Sequence, residues 1–245
     1  MSATVDVMLP RKILIVASNP AVSERTGWPI GFWWSELTHP YWEFTERGYG
    51  VQICSPDGGP LAADPWSDPT DQSGYSADDL ITLGFLNSAA HRKLVEESTA
   101  LADVSLDDYA AVFLVGGQAP MYTFYNDTRV QDMAAASYAA GKITAVVCHA
   151  TCILLKTRLP GGELLVRDKT WTGFANSEED YADAFVGRSI QPFRIEDEAR
   201  RLPDTNFIVQ GRFRPHAVRD GLLITGQQQY SGVAAARKVI EALGQ

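Results

Sequence analysis

The stretch ITAVVCHATCILL, from Ile143 to Leu155, sets a cysteine directly beside a histidine in a chain with 3 cysteines and 4 histidines. A thiolate is a strong nucleophile, and an adjacent imidazole can relay its proton. Cys148 stands where an apolar, β-branched run gives way to small residues, so a strand hands over to a helix at the sulfur. Sharp turns of that kind present nucleophiles. The positive end of the helix favours thiolate, which predicts a depressed pKa for Cys148 and alkylation ahead of Cys54 and Cys152. The other two cysteines have ordinary readings: Cys54 lies inside a strand pattern and Cys152 falls one helical turn further on. No CxxC spacing or histidine cluster marks a metal site, and neither a metal nor another cofactor is expected.

A second feature is Gly116-Gly117, which follows the run AVFLV. Unhindered backbone N–H groups after a strand can hold an oxyanion, although a glycine pair at that place also serves as a plain turn.

These residues need elements that bring them to one edge. Apolar β-branched runs predict strands at Lys12–Ser18, Val51–Ser55, Ala111–Val115, Ile143–Val147, Thr170–Phe174, Phe207–Gln210 and Leu222–Thr225. Between them, helical spacing covers 33–49, a segment around 88–100, then 130–140 and 233–243. Pro40 is expected to bend the first helix or start it afresh. The alternation implies an α/β domain with a flavodoxin-like, doubly wound, mostly parallel sheet and helices on both faces, whose sites form outside the carboxyl ends of the strands. Cys148, Gly116-Gly117 and Pro56-Asp57 fall at such ends. Residues 57–80 are rich in Pro, Asp, Gly and Ser, so about 57–100 reads as an inserted, lid-like excursion in a single domain spanning 1–245.

Composition narrows the partners. With a formal net charge of −9 and an apolar fraction of 45%, the chain has a core but no basic stripe for nucleic acid or an anionic membrane. A small molecule is the expected partner. The opening MSATVDVMLP lacks basic residues ahead of an apolar run, ILIVA is too short to span a bilayer, and the odd cysteine count suits a reducing compartment, so the expected location is cytoplasmic.

AVFLVGGQAPMY, AVVCHATCIL, TWTGFANSEED and LLITGQ, in this order from about Lys12 to Leu243, resemble the PfpI-like superfamily of class I glutamine amidotransferase-like folds. WPIGFWWSELTHPYWEF near the N-terminus is similar to its heat-shock protein 31 branch, which includes glutathione-independent glyoxalase III. The resemblance implies that Cys148 is the nucleophile on a strained elbow and that His149 is its partner. Glu179 matches the carboxylate orienting that histidine, with Glu178 the alternative one register away. Glu36 matches the acid that hydrogen-bonds the thiolate and shuttles a proton, while Gly117 and Gln118 flank the oxyanion. Read from their own surroundings, Glu179 and Glu36 would only favour a helix start, as the acids of NSEED do. The chain departs from the family at Gln118, where glyoxalase relatives usually have His, at Ala150-Thr151 in place of Gly-Pro, and at Gln227-Gln228-Gln229 in place of Asn-Pro. The pattern implies preserved chemistry with an altered substrate preference.

The leading expectation is therefore a cysteine enzyme acting on small reactive carbonyl compounds, converting methylglyoxal to D-lactate without glutathione. Two alternatives stand beside it: a cysteine hydrolase or hydratase acting on an amide or nitrile-like substrate, and a stress-response holding chaperone whose cysteine senses redox state. Family analogy implies a homodimer.

Overall fold

The computed structural model describes residues 11–244, so MSATVDVMLP, which carries the expectation of no leader segment, lies outside the described residues. Continuous apolar runs such as KILIV and ITAVV suit strands buried on both faces of a parallel sheet, and both are almost wholly buried. The central sheet has 7 strands. They are β1 (Lys12–Val16), β2 (Gly50–Ser55), β3 (Thr99–Ala100), β4 (Tyr109–Leu114), β5 (Ile143–Val147), β6 (Ala217–Asp220) and β7 (Leu223–Gly226). Their spatial order is β6-β7-β5-β4-β1-β2-β3, parallel throughout except for the β6–β7 hairpin.

Starting from β1, the chain first winds outward through β2 and β3, then crosses back to β4 on the other side. The order thus reverses between β1 and β4, and a crevice opens beyond their carboxyl ends. Helices α1 (Trp34–Thr45), α2 (Leu80–Asn87), α3 (Ala89–Glu96), α4 (Thr128–Ala139), α5 (Asn176–Val186), α6 (Ile195–Arg201) and α7 (Gly232–Ala242) complete the fold. Helices α1 and α7 pack together, and α4 lies against β4 and β5. Among the described residues, no helix is long and apolar enough to cross a membrane.

Several expectations are corrected. Pro40 does not restart the first helix, which runs on through it. Proline removes the bond that the Glu36 carbonyl would otherwise accept. The helix expected around 88–100 is present but shorter, as α3, capped by the Ser88 side chain, and an unexpected helix, α2, precedes it. Thr99–Ala100 leaves helical geometry and becomes the edge strand on β2. Thr170–Trp171 and Asn206–Phe207 form a separate two-stranded ladder outside the central sheet. Finally, β5 passes into a 3-10 helix, Cys148–Leu155, where an α-helix was expected.

Candidate active site

Cys148 directly follows β5 with φ 57°, a left-handed backbone that a residue bearing Cβ adopts only under constraint. Two contacts hold it there. Thr151 Oγ1 donates to the Cys148 carbonyl at 2.6 Å, and Gly173 leaves room for that hydroxyl, because a Cβ at Gly173 would sit 2.2 Å from it. The Thr151 that departs from the family pattern is thus part of the elbow. The sulfur lies at the floor of a cavity of about 120 Å³, only 3% exposed.

His149 extends the site on one side. Its Nδ1 stands 3.5 Å from Cys148 Sγ and its Nε2 3.1 Å from Glu179 Oε1. With Nε2–H donated to the carboxylate, Nδ1 is the acceptor that faces the thiol. Phe174 stacks on the imidazole at 3.9 Å between ring centres and fixes its plane.

Neighbouring Glu178 points elsewhere. Its Oε2 accepts from the Ala175 N–H at 3.0 Å, and its Oε1 accepts from the Phe213 N–H at 3.0 Å and from Gln227 Nε2 at 2.9 Å. Consecutive helical residues project about 100° apart, so one acid reaches the histidine while the other caps α5 and ties down the loop at Phe213.

Glu36, in the first turn of α1, closes the other side. It is fully buried and accepts the Gly116 N–H at 2.7 Å through Oε2, while Oε1 has no fixed hydrogen-bond partner. Burial pushes its carboxyl up to about 8, the buried Asp64 adds to the rise, and hydrogen bonds from Cys148 and Gly116 oppose it. Burial also drives the Cys148 thiol well above its ordinary value, with the charge of Glu36 acting in the same direction and the His149 and Gly117 N–H groups opposing. This reverses the expected depression of the Cys148 pKa. Loss of water outweighs the two N–H groups, and the following turn is 3-10 rather than a helix with a developed dipole. The two groups titrate together. The carboxyl gives up its proton at about 8, and the sulfur keeps its own well beyond that. The nucleophile therefore forms when the Glu36 carboxylate takes the thiol proton as the sulfur attacks.

Glycine is required at this junction. A Cβ on Gly116 would lie 2.7 Å from Glu36 Oε2 and 2.8 Å from Cys148 Cβ, and one on Gly117, where φ is +106°, would strike the backbone of Gly31 and Phe32. The Gly117 and His149 N–H groups both face the sulfur, where a developing oxyanion needs donors. Gln118 behaves differently. Its N–H is taken by Asp64 Oδ2 at 2.6 Å, and its carboxamide lines the cavity.

Asp64 is the residue that sequence reasoning missed. Fully buried and pushed up to about 7 by burial against the hydrogen bonds of Gly31 and Gln118, it ties the strand-end loop of β4 to the segment entering α1. Nothing in ADPWSDP distinguishes it from its solvated neighbours. Trp33 and Trp34 divide their work: Trp33 faces the cavity, whereas Trp34 packs on Phe32 and Phe85. Of the three glutamines, Gln229 alone reaches the cavity. Among the described residues, no cluster of three or more His, Cys, Asp or Glu side chains is placed to hold a metal.

The DJ-1/PfpI family model matches residues 31–242. The chain is 27% identical over 248 residues to the glutathione-independent glyoxalase HSP31 of Saccharomyces cerevisiae, covering 96% of this chain and 99% of that protein. It is 26% identical over 233 residues to glyoxalase 3 of Candida albicans, covering 94% and 97%. Among solved structures, the REP24 protein of Francisella tularensis superposes with a TM-score of 0.83 at 26% identity, covering 96% of this chain and all (100%) of that one. The glyoxalase III structure from Candida albicans superposes with a TM-score of 0.79 at 24% identity, covering 95% and 97%, and supports the fold.

Proposed function

The chain belongs to the DJ-1/PfpI family, and from that premise we propose that it is a glutathione-independent glyoxalase using Cys148 as nucleophile on small 2-oxoaldehydes. The observation that carries this reading is the placement of Cys148 at the floor of one cavity, between the His149–Glu179 contact on one side and the fully buried Glu36 carboxyl on the other. The near-full-length similarity to proteins named as glyoxalases supports the substrate class.

The thiolate adds to the aldehyde carbon. A C–S bond forms, the carbonyl π pair moves onto oxygen under the Gly117 and His149 N–H groups, and a proton from Glu36 completes the hemithioacetal. Glu36, now ionised, or His149 removes the hydrogen from that carbon, and the electron pair shifts through an enediol. Return of a proton to the neighbouring carbon leaves a thioester beside a hydroxyl. Water then cleaves the C–S bond, releasing a 2-hydroxy acid and the thiol. The net change is addition of one water with an internal oxidation and reduction, so no outside oxidant is required.

Residues 57–100 serve as a lid-like cover in this reading, since Trp66 and Tyr75 wall the cavity. The same proposal includes a homodimer in the cytoplasm; the 3 free cysteines suit a reducing compartment. The test is methylglyoxal consumption and D-lactate formation without glutathione. Native protein is expected to turn over, and Cys148→Ala to be inactive. Turnover of an amide or nitrile instead would establish the hydrolytic alternative. Protection of a heated client by Cys148→Ala as well as by native protein, with no turnover at all, would establish the chaperone alternative.

A further inference from the structure

The walls above Cys148 are far more aromatic than a methyl substituent requires. Trp33, Trp66, Tyr75, Tyr181, Phe185 and Phe213 line the cavity as a belt made of two contacting groups. Tyr75 meets Trp33 edge-on at 6.0 Å and lies over Trp66 at 6.3 Å with 29° between planes. Phe185 meets Trp66 edge-on at 5.6 Å, and Tyr181 meets Phe213 at 5.3 Å. Aromatic side chains favour such offset and edge arrangements with a further ring. Phe213 holds φ 55°, strained for a bulky residue, and the buried Glu178 grips its N–H at 3.0 Å, so the fold sustains a backbone cost to keep this wall in place. Phe185 remains 69% exposed at the rim, where it offers an apolar edge that the protein itself leaves uncovered.

Charge limits the ligand further. Among the described residues, no Lys or Arg lines the cavity, and the one carboxylate facing it apart from the Cys148 partners is Glu179, already engaged with His149. An anionic substrate would meet no counter-charge, whereas the acid product would be disfavoured and leave. Two carboxamides, Gln118 and Gln191, reach the cavity with buried carbonyl oxygens that have no partner among the described residues. They are acceptors left for hydroxyl groups on a bound adduct.

Resting on the glyoxalase reading, we infer that the preferred substrate is a neutral 2-oxoaldehyde whose ketone carries an aryl or similarly large apolar group, with its ring inside the aromatic belt over Cys148. The atoms balance as for the methyl compound: one water is added and a 2-aryl-2-hydroxy acid leaves.

Steady-state kinetics with phenylglyoxal and methylglyoxal, in native protein, Phe185→Ala and Trp66→Leu, test this. The exposure of Phe185 allows its truncation without loss of fold, and circular dichroism checks both variants. In native protein kcat/KM for phenylglyoxal is expected to exceed that for methylglyoxal by about tenfold or more, equivalent to about 1.4 kcal/mol. The ratio is expected to fall about tenfold in each variant, which separates wall contacts from the greater intrinsic reactivity of the aryl compound. A native ratio at or below one, or a ratio unchanged in both variants, overturns the aryl preference while the glyoxalase reading stands. Turnover of neither compound overturns both.

Discussion

A thiol that burial has pushed upward becomes useful only when its proton has a fixed destination, and Glu36 supplies one. Because the pair releases its first proton near the Glu36 value of about 8, kcat/KM for methylglyoxal is expected to rise with pH and level off above that value. In Glu36→Gln the inflection should vanish and the rate fall by about a hundredfold or more, the usual worth of a positioned proton carrier. A pH profile of both proteins checks this. Iodoacetamide labelling followed by mass spectrometry should find Cys148 modified first, at a rate that climbs through the same pH range. Cys54 is fully buried with its thiol pushed up to about 12, and Cys152 is buried with its thiol donated to the Pro120 carbonyl. Equal labelling of all three would remove Cys148 from its special position. As residue types, Cys148 and His149 stood out in the sequence, and Glu36 only through the family resemblance. The direction of the Cys148 shift was not, because it depends on how much water the surrounding fold removes.

Elements decide which of two adjacent acids does which task. Helix α5 turns Glu179 toward His149 and Glu178 toward Ala175, Phe213 and Gln227. NSEED alone leaves that choice open, since the rotational setting of a helix comes from what it packs against. The junction between β4 and the elbow sets the tightest limit. Gly116→Ala is expected to force Glu36 and Cys148 apart, lowering kcat/KM by about a hundredfold. It should also reduce stability by roughly 1–3 kcal/mol, as overpacking does. Urea titration and kinetics check the two effects separately, and a variant with native activity would show that the close approach is dispensable. Strand β5 matched its sequence-based bounds, because ITAVV is uniformly apolar and ends at a turn. Thr99–Ala100 was misread as helix, since a two-residue edge strand is made by its partner β2 rather than by its own pattern.

Across the whole molecule, Glu36 contributes to stability with a definite sign. Its carboxyl value rises from 4.5 in the unfolded chain to about 8 in the folded one. Between those limits the native state holds more protons than the unfolded state, so this contribution is full below 4.5 and is lost as pH climbs through 8. Replacing the acid by its neutral amide removes the loss. Glu36→Gln is therefore expected to match native protein in thermal midpoint near pH 5 and to exceed it by several degrees, at about 2–4 °C per kcal/mol, near pH 9. Differential scanning calorimetry at the two pH values measures the gap. A gap that stays constant or closes with rising pH would show that Glu36 is not carried as a neutral acid in the fold. Activity and stability then trade against each other at one residue.

Local patterns determined much of this protein: strands from apolar β-branched runs, the alternation that implies a parallel doubly wound sheet, and the elbow from a cysteine placed where β5 ends. These are legible because each rests on neighbours within one element. The tertiary structure alone decided that Asp64 bridges Gly31 and Gln118, that Gln118 spends its N–H on that bridge, and that Trp33 and Trp34 face different environments. It also gathered aromatic rings from distant segments into one belt over the sulfur. Those outcomes depend on contacts between residues far apart in the chain and on the water their packing excludes, and neither is encoded in any short stretch of sequence.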